Sequence, residues 1–495
     1  MDDAPDSSGC GCARLQAVTK GSAYMNVFMY VIREMEDAID DCTSGCTDCN
    51  DDPVHAWDEA VAFYTGSAEG TDGASDGYLL HALADTRCAD FKTCGAAGRL
   101  AAGSSKVNIE IGEQFNIGQH WLLTGQCSSM REVVDRIVAL MSVPLIQGTL
   151  RYAWKTEFGN SSTKEWAEAA TFAASVLPRV AQCSASAAAA IDSKTKLGAG
   201  AADFNLVKDS FEAQYACMGI TCADVGGLLD TSASALTYYP GAVPCVDSAA
   251  GSGEETEQAE IAGYQPASVV TDHNAIDQDQ MAIELELEAD PADFSTARDI
   301  YTRGGNSKSY ADFTVAALSS NVSAGTAVAG VSATGEVVTG EVKADAAAGA
   351  TTLQVTYTTS STQATHVMCR VGGLPRALRE RSGCFSSTAP LDVGGVAVSP
   401  SALTNEAGRT LQGFSTSAKA KMHDCAGGCP YRDYMQFVDY YGDFDYADKW
   451  VTGALEGAKV SFGSGAEVDF SVHSDDDTRR EVRRAGSAPW PRWPP

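Results

Sequence analysis

His55 and Glu59 stand four residues apart in PVHAWDEAVAFYTG, so on a helix they share a face and can meet one ion. Glu113 and His120 lie in VNIEIGEQFNIGQHWLL, where a continuous helix puts them on one side with Ile117. Glu36 and Asp40 belong to the earlier run AYMNVFMYVIREMEDAIDDC. Imidazole and carboxylate are the ligand set that suits iron and similar ions. Two such stripes facing each other, with Glu36 or Asp40 added, supply two imidazoles and three or more carboxylates. The interior of a helical bundle is where iron–carboxylate sites are built. His55, Glu59, Glu113, His120, Glu36 and Asp40 are therefore the expected metal ligands. The competing reading gives the same residues salt-bridge and capping roles. Their spacing is not the Glu-x-x-His of ferritin-like proteins, so no di-iron centre is expected.

Other candidates have plainer readings. Glu34, Asp37 and Asp41 read as a solvated helix face. His81 and Asp85 are also i and i+4, but beside Leu79, Leu80 and Leu83 they read as core or capping residues. His423, Cys425 and Cys429 in HDCAGGC could hold a soft metal, though a disulfide is favoured in an oxidising compartment. Tyr434, Phe437, Tyr440, Tyr441, Phe444 and Tyr446 form an aromatic stripe whose usual role is packing. No G-x-S-x-G, P-loop, H-E-x-x-H or Rossmann glycine pattern occurs, and no enzyme activity is expected.

The 495 residues carry a net charge of −30, which argues against nucleic acid as a partner and favours cations. Sixteen cysteines suggest an oxidising compartment. Cys42, Cys46 and Cys49 lack a fourth ligand at zinc-finger spacing. Cys88 with Cys94, Cys217 with Cys222, Cys369 with Cys384 and Cys425 with Cys429 look like local pairs, although sequence does not settle connectivity. No run reaches the about 18–20 apolar residues of a membrane span, so no insertion is expected. MDDAPDSSGCGC is too acidic for a signal peptide, which conflicts with the cysteines unless Met1 is not the natural start.

The elements that must position these residues follow from periodicity. Residues 1–21 read as irregular. Met25, Phe28, Ile32, Met35 and Ile39 recur at helical spacing and open a helical bundle over 22–235, the candidate metal-binding domain. Within it, a kink is expected at Pro144 and Thr163 is the expected helix cap. Residues 236–295, rich in Pro, Gly and Ser with an acidic run, read as a linker. Residues 296–403 form a small β-rich module: IYTRGGNSKSYADFTVAAL reads as helical, and the Val/Thr alternation after it as strands. Residues 404–460 turn helical again and are expected to fold back on the bundle; 461–495 read as a tail. TRREVRRAGSA near the end aligns with ARLQAVTKGSA near the start, which suggests a tandem repeat. The fold class is α+β.

AYMNVFMYVIREMEDAIDDC, HAWDEAVAFYTGS, ALADTRCADFKTC, GITCADVGGLL, GRTLQGFST and DYYGDFDYADKWV resemble the algal iron-assimilating, low-iron-inducible periplasmic proteins, a family also tied to high-CO2 induction. The likeness covers most of residues 14–460. It implies a secreted protein of the periplasmic or extracellular space that helps the cell capture iron, as Fe2+ or Fe3+. The expected partners are the metal ion and a plasma-membrane iron transporter or reductase. Two other classes compete: a structural repeat protein of the cell wall, and a periplasmic enzyme linked to inorganic-carbon handling.

Overall fold

The computed structural model describes residues 12–471 apart from 46–52, 71–76, 160, 232–236, 247–263, 268–275, 290, 304–309, 315–316, 332–336, 343–344, 351, 360–390, 394–395, 399–431 and 444. The described chain opens with a helix where irregular structure was expected. Helix α1 (Cys12–Gly21) runs through a π-helical turn (Ser22–Val27) into α2 (Phe28–Ser44). A π-turn shifts the phase of the helix face. Here it lies in the interior, with Ser22 Oγ 2.6 Å from Gln280 Oε1 and Asn26 Nδ2 donating to the Tyr301 hydroxyl.

The expected apolar stripe of α2 is buried, but so are its flanks. Arg33, Glu34, Glu36 and Asp37 are all 5% exposed or less, because α2 is a central helix covered by neighbours on several sides. Gly45, with φ 72°, caps its end from the left-handed region, its N–H reaching Asp41 O and Cys42 O. The chain then reverses into α3 (Pro53–Thr65), which packs along α2 with Tyr30 against Phe63.

Helices α4 (Leu80–Phe91) and α5 (Lys106–Leu123) follow, then α6 (Met130–Phe158) and α7 (Thr163–Cys183). Helix α6 continues through Pro144. By length and composition alone it could cross a membrane, yet 89% of its most apolar window is buried inside the bundle. Ser162, one residue before the expected cap, caps α7 in a reciprocal box with Glu165. Short helices α8 (Ala185–Thr195), α9 (Phe204–Glu212), α10 (Tyr215–Met218) and α11 (Cys222–Val225) and the pair β1 (Leu229–Asp230) with β2 (Thr237–Tyr238) complete this part.

Disulfides Cys42–Cys127, Cys88–Cys94, Cys183–Cys217 and Cys222–Cys245 tie these elements together. The local pair Cys88–Cys94 is as expected. Cys217 and Cys222 do not pair with each other, because the fold brings α7 and the segment after β2 to them. The pairs expected at Cys369–Cys384 and Cys425–Cys429, and His423, lie outside the described residues.

Part of the expected linker is bundle. Helix α12 (Ile276–Glu288) packs on α1, with Gln280 Nε2 donating to Thr19 O at 2.9 Å, and α13 (Phe294–Arg303) packs on α12. Buried Ile276, Ile283, Leu287, Ala297 and Tyr301 join the main core. Near the other end of the chain, α14 (Arg432–Tyr441) and α15 (Tyr446–Glu456) pack on α1, the π-turn, α2 and α7. Phe437 meets Phe28, Tyr441 donates to Ala174 O at 2.6 Å, and Tyr446 stacks on Tyr441, so the described part of the aromatic stripe is core. Arg14 reaches from α1 to the end of α15, donating to Ala454 O at 2.8 Å and Leu455 O at 2.6 Å.

Between α13 and α14 lies an antiparallel sheet ordered β3-β6-β5-β4-β7-β8: Tyr310–Thr314, Thr352–Thr359, Val337–Val342, Ala327–Val331, Leu391–Val393 and Val396–Val398. The helix expected from Ile300 through Leu318 stops at Arg303, beside Gly304-Gly305, and YADFT pairs with β6 instead. A hairpin of β9 (Lys459–Ser461) and β10 (Glu467–Asp469) follows α15. The molecule is α+β, a large helical bundle with a small β module and C-terminal helices. The tail repeat at 478–488 lies outside the described residues.

Candidate metal centre

The hairpin of α2 and α3 carries the densest set of ligand atoms. Residues 45–52 join the two helices, so the end of α2 and the start of α3 lie at the same end of the hairpin. Asp37, Asp40 and Asp41 sit in the last turns of α2, and one carboxylate oxygen of each lies within 4.8 Å of the other two. Asp37 and Asp41 are each 5% exposed and Asp40 is exposed. The last turn of α2 has no basic residue, so the three carboxylates face the negative end of the helix dipole. A hard cation at oxygen ligands offsets both the dipole and the mutual repulsion.

On α3, His55 Nε2 stands 3.0 Å from Glu59 Oε1, with His55 1% exposed. The expected i,i+4 pair is thus formed. It carries one imidazole and one carboxylate, and among the described residues neither Glu113 nor His120 joins it in a group of three close ligating side chains. Helix α5 meets α3 through other residues. Trp57 Nε1 donates to Phe115 O at 2.9 Å, its ring packs edge-on to Phe115, and a Cβ on Gly118 would fall 2.1 Å from Trp57 Cζ2. Only glycine permits that approach. Asp58, fully buried, accepts from Gln119 Nε2 at 3.2 Å and from the Tyr264 hydroxyl.

Glu113 and His120 each stand two residues from these contacts, about 200° round the helix, and both are exposed. The structure therefore does not bring the six expected ligands together. The reason is the close seat of Trp57 on Gly118, which fixes the rotation of α5 and turns Glu113 and His120 outward. Their side of α5 borders a cleft of about 800 Å³ lined by Glu110, Ile117, Trp121, Arg136 and Arg179, among others. Arg136 is held there by Glu110 at 2.6 Å and Gly219 O at 2.8 Å.

Glu36 accepts from Arg131 Nη1 at 3.0 Å and ties α2 to the start of α6. It takes the salt-bridge role that competed with the metal role. Asp40 belongs to the carboxylate group instead. Its partners Asp37 and Asp41 read in the sequence as solvated, and they are not. The signal that could have found them was position: three acids ending a helix with no cation among them, against the usual preference for basic residues there. Among the described residues, Asp37, Asp40 and Asp41 are the one group of three or more ligating side chains this close together.

Comparison with known proteins supplies the remaining context. A family model described as low iron-inducible periplasmic protein matches residues 7–237. No curated protein and no solved structure matches the chain. The matched stretch holds the α2–α3 hairpin, α5, and the four disulfides except Cys245. Over residues 7–237, the main part of its helical bundle, this chain is therefore similar to the low iron-inducible periplasmic proteins.

Proposed function

We propose that this chain binds iron outside the plasma membrane as cargo for assimilation, without catalysing a reaction. One observation carries the reading: the Asp37, Asp40 and Asp41 carboxylates converge at the negative end of α2, at the same end of the hairpin as the His55–Glu59 pair. Oxygen-rich ligation suits Fe3+, and the neighbouring imidazole extends the range to Fe2+. The net charge of −30 raises the local cation concentration before any specific contact forms. The family description, periplasmic and induced by low iron, supports the cargo and the compartment. Delivery is to a plasma-membrane iron transporter or reductase.

Equilibrium dialysis with Fe(II) under anaerobic conditions, and separately with Fe(III), tests this in the full chain. The variant Asp37→Asn/Asp40→Asn/Asp41→Asn is expected to lose its tightest iron, and His55→Ala/Glu59→Ala to weaken it. Binding that salt abolishes equally in all three proteins would sink the specific site and leave only the diffuse field.

A further inference from the structure

The β module carries a motif that cation binding does not use. Asn321-Val322-Ser323 is an Asn-x-Ser sequon, the acceptor for N-linked glycosylation, with no proline in the middle position. The segment before β4 and the one after β5 continue their hairpin ladder past the strand ends. Ala327 pairs with Glu341, Val322 bridges Ala346, and Leu318 N donates to Ala350 O at 3.0 Å, all in one register. A tight turn interrupts each side of this extension, at Gly325 with φ 80° and at Gly349 with φ 89°. Asn321, Ser323, Ala347, Ala348 and Gly349 are all exposed there.

The geometry suits the modification. Asn321 Oδ1 accepts from Ala348 N at 2.9 Å, which turns the amide oxygen toward the backbone and identifies the other end as Nδ2. Nδ2 is the atom a glycan occupies. A sugar there leaves the bond to Ala348 in place. Ser323 supplies the hydroxyl that the sequon requires. Its turn is closed through its carbonyl instead, which accepts from Thr326 N at 3.2 Å and Thr326 Oγ1 at 2.6 Å. Ala324 N donates to Asp345 Oδ1 at 2.8 Å, so the two sides also hold each other without the Asn321 amide nitrogen. The chain's other sequon, Asn160-Ser161-Ser162, differs in this respect: the hydroxyl of Ser162 caps α7.

We infer that Asn321 bears an N-linked glycan in the exported protein. Export is supported by the family description, periplasmic, and by the four described disulfides. The donor is of the lipid-linked oligosaccharyl diphosphate class found in a eukaryotic secretory lumen. Asn321 Nδ2 forms a C–N bond to the anomeric carbon of the sugar. The C–O bond to the diphosphate breaks, the leaving diphosphate takes the electron pair, and the amide gives up one proton. Transfer occurs on the chain as it enters the lumen, so the part of the fold is to leave room for the product. Exposed turns at the end of the ladder do so, whereas a buried acceptor would obstruct folding. Iron binding plays no part in this, and loss of iron from the three-aspartate variant is a separate result.

The full chain, secreted from a eukaryotic host, is treated with a peptide N-glycosidase in heavy-oxygen water and its peptides are read by mass spectrometry. A labelled aspartate in place of Asn321 is expected in most molecules. Ser323→Ala should remove that label and Ser323→Thr should keep it. An endoglycosidase should trim the glycan from the native protein without denaturant, because the acceptor is exposed. An exported, disulfide-bonded chain whose Asn321 is unlabelled overturns the inference. So does a label that survives Ser323→Ala, or trimming that requires unfolding. Should a variant fail to be exported, the labelling and trimming of the unaltered chain decide alone.

Discussion

Replacing Asp40 by Asn is the sharpest single perturbation of the α2 carboxylates, because Asp40 is exposed and its amide needs no new packing. In the metal-free chain its charge is repelled by Asp37 and Asp41, at most 4.8 Å away between nearest ligand oxygens. Coulomb's law in water makes each repulsion about 0.9 kcal/mol at that distance. Screening at physiological salt reduces each to about 0.5 kcal/mol. Removing a negative charge from the C-terminal end of a helix adds about 0.3 kcal/mol for a screened, exposed site. Asp40→Asn should therefore stabilise the metal-free chain by about 1 kcal/mol, while iron affinity falls by about tenfold or more as one charged ligand is lost. The two effects have opposite signs, which a purely structural role for Asp40 does not produce. Urea unfolding with chelator present, then with saturating iron, reads both. If the substitution destabilises the metal-free chain, or leaves the iron-induced stabilisation intact, the electrostatic reasoning fails.

Two further outcomes follow from contacts elsewhere. Arg14→Ala removes two charge-assisted hydrogen bonds to the end of α15 and the cation seated 3.9 Å over the Phe294 ring, and should cost about 3 kcal/mol. Arg14→Lys should restore only part of this because it lacks the fork; a loss under about 1 kcal/mol by denaturant titration would mean that α15 is not closed onto α1 as described. Burial raises the Glu284 carboxyl above its ordinary 4.5, against the pull of Lys20 and Gln280. The folded chain thus holds that proton to higher pH than the unfolded one. Its contribution is complete below pH 4.5 and is lost as pH rises through the folded value, so metal-free stability should decline toward neutrality and Glu284→Gln should flatten the decline. Urea midpoints stepped from acid to neutral pH measure it, and an unchanged slope in the variant refutes the assignment.

Local pattern made much of this molecule legible. The apolar recurrence of α2, the cap region of α7, the Val/Thr alternation of the sheet and the aromatic packing around Tyr441 are short-range properties that residue spacing encodes directly. His55 with Glu59 belongs to the same class, since i and i+4 are neighbours on any helix. The residue blocks between 14 and 237 that resemble the low iron-inducible periplasmic proteins are likewise local, and the family match falls on that stretch.

What spacing could not encode is rotation and company. Whether Glu113 and His120 face inward depends on which side of α5 receives Trp57, and Gly118 decided that by letting the ring in. Asp37 is buried because α2 is central, not because of its own periodicity. Tyr310–Thr314 is a strand because Thr352–Thr359, some 40 residues later, is there to pair with it. Ile276–Glu288 reads as linker until its apolar residues find α1. Glu69, His81 and Asp277 come from three separate segments and meet only in the folded chain. The sequence alone determined which residues could do chemistry and on which kind of element each stands. Tertiary packing alone decided which of them share a space, because burial and long-range pairing are set by the shapes of neighbours that no local window contains.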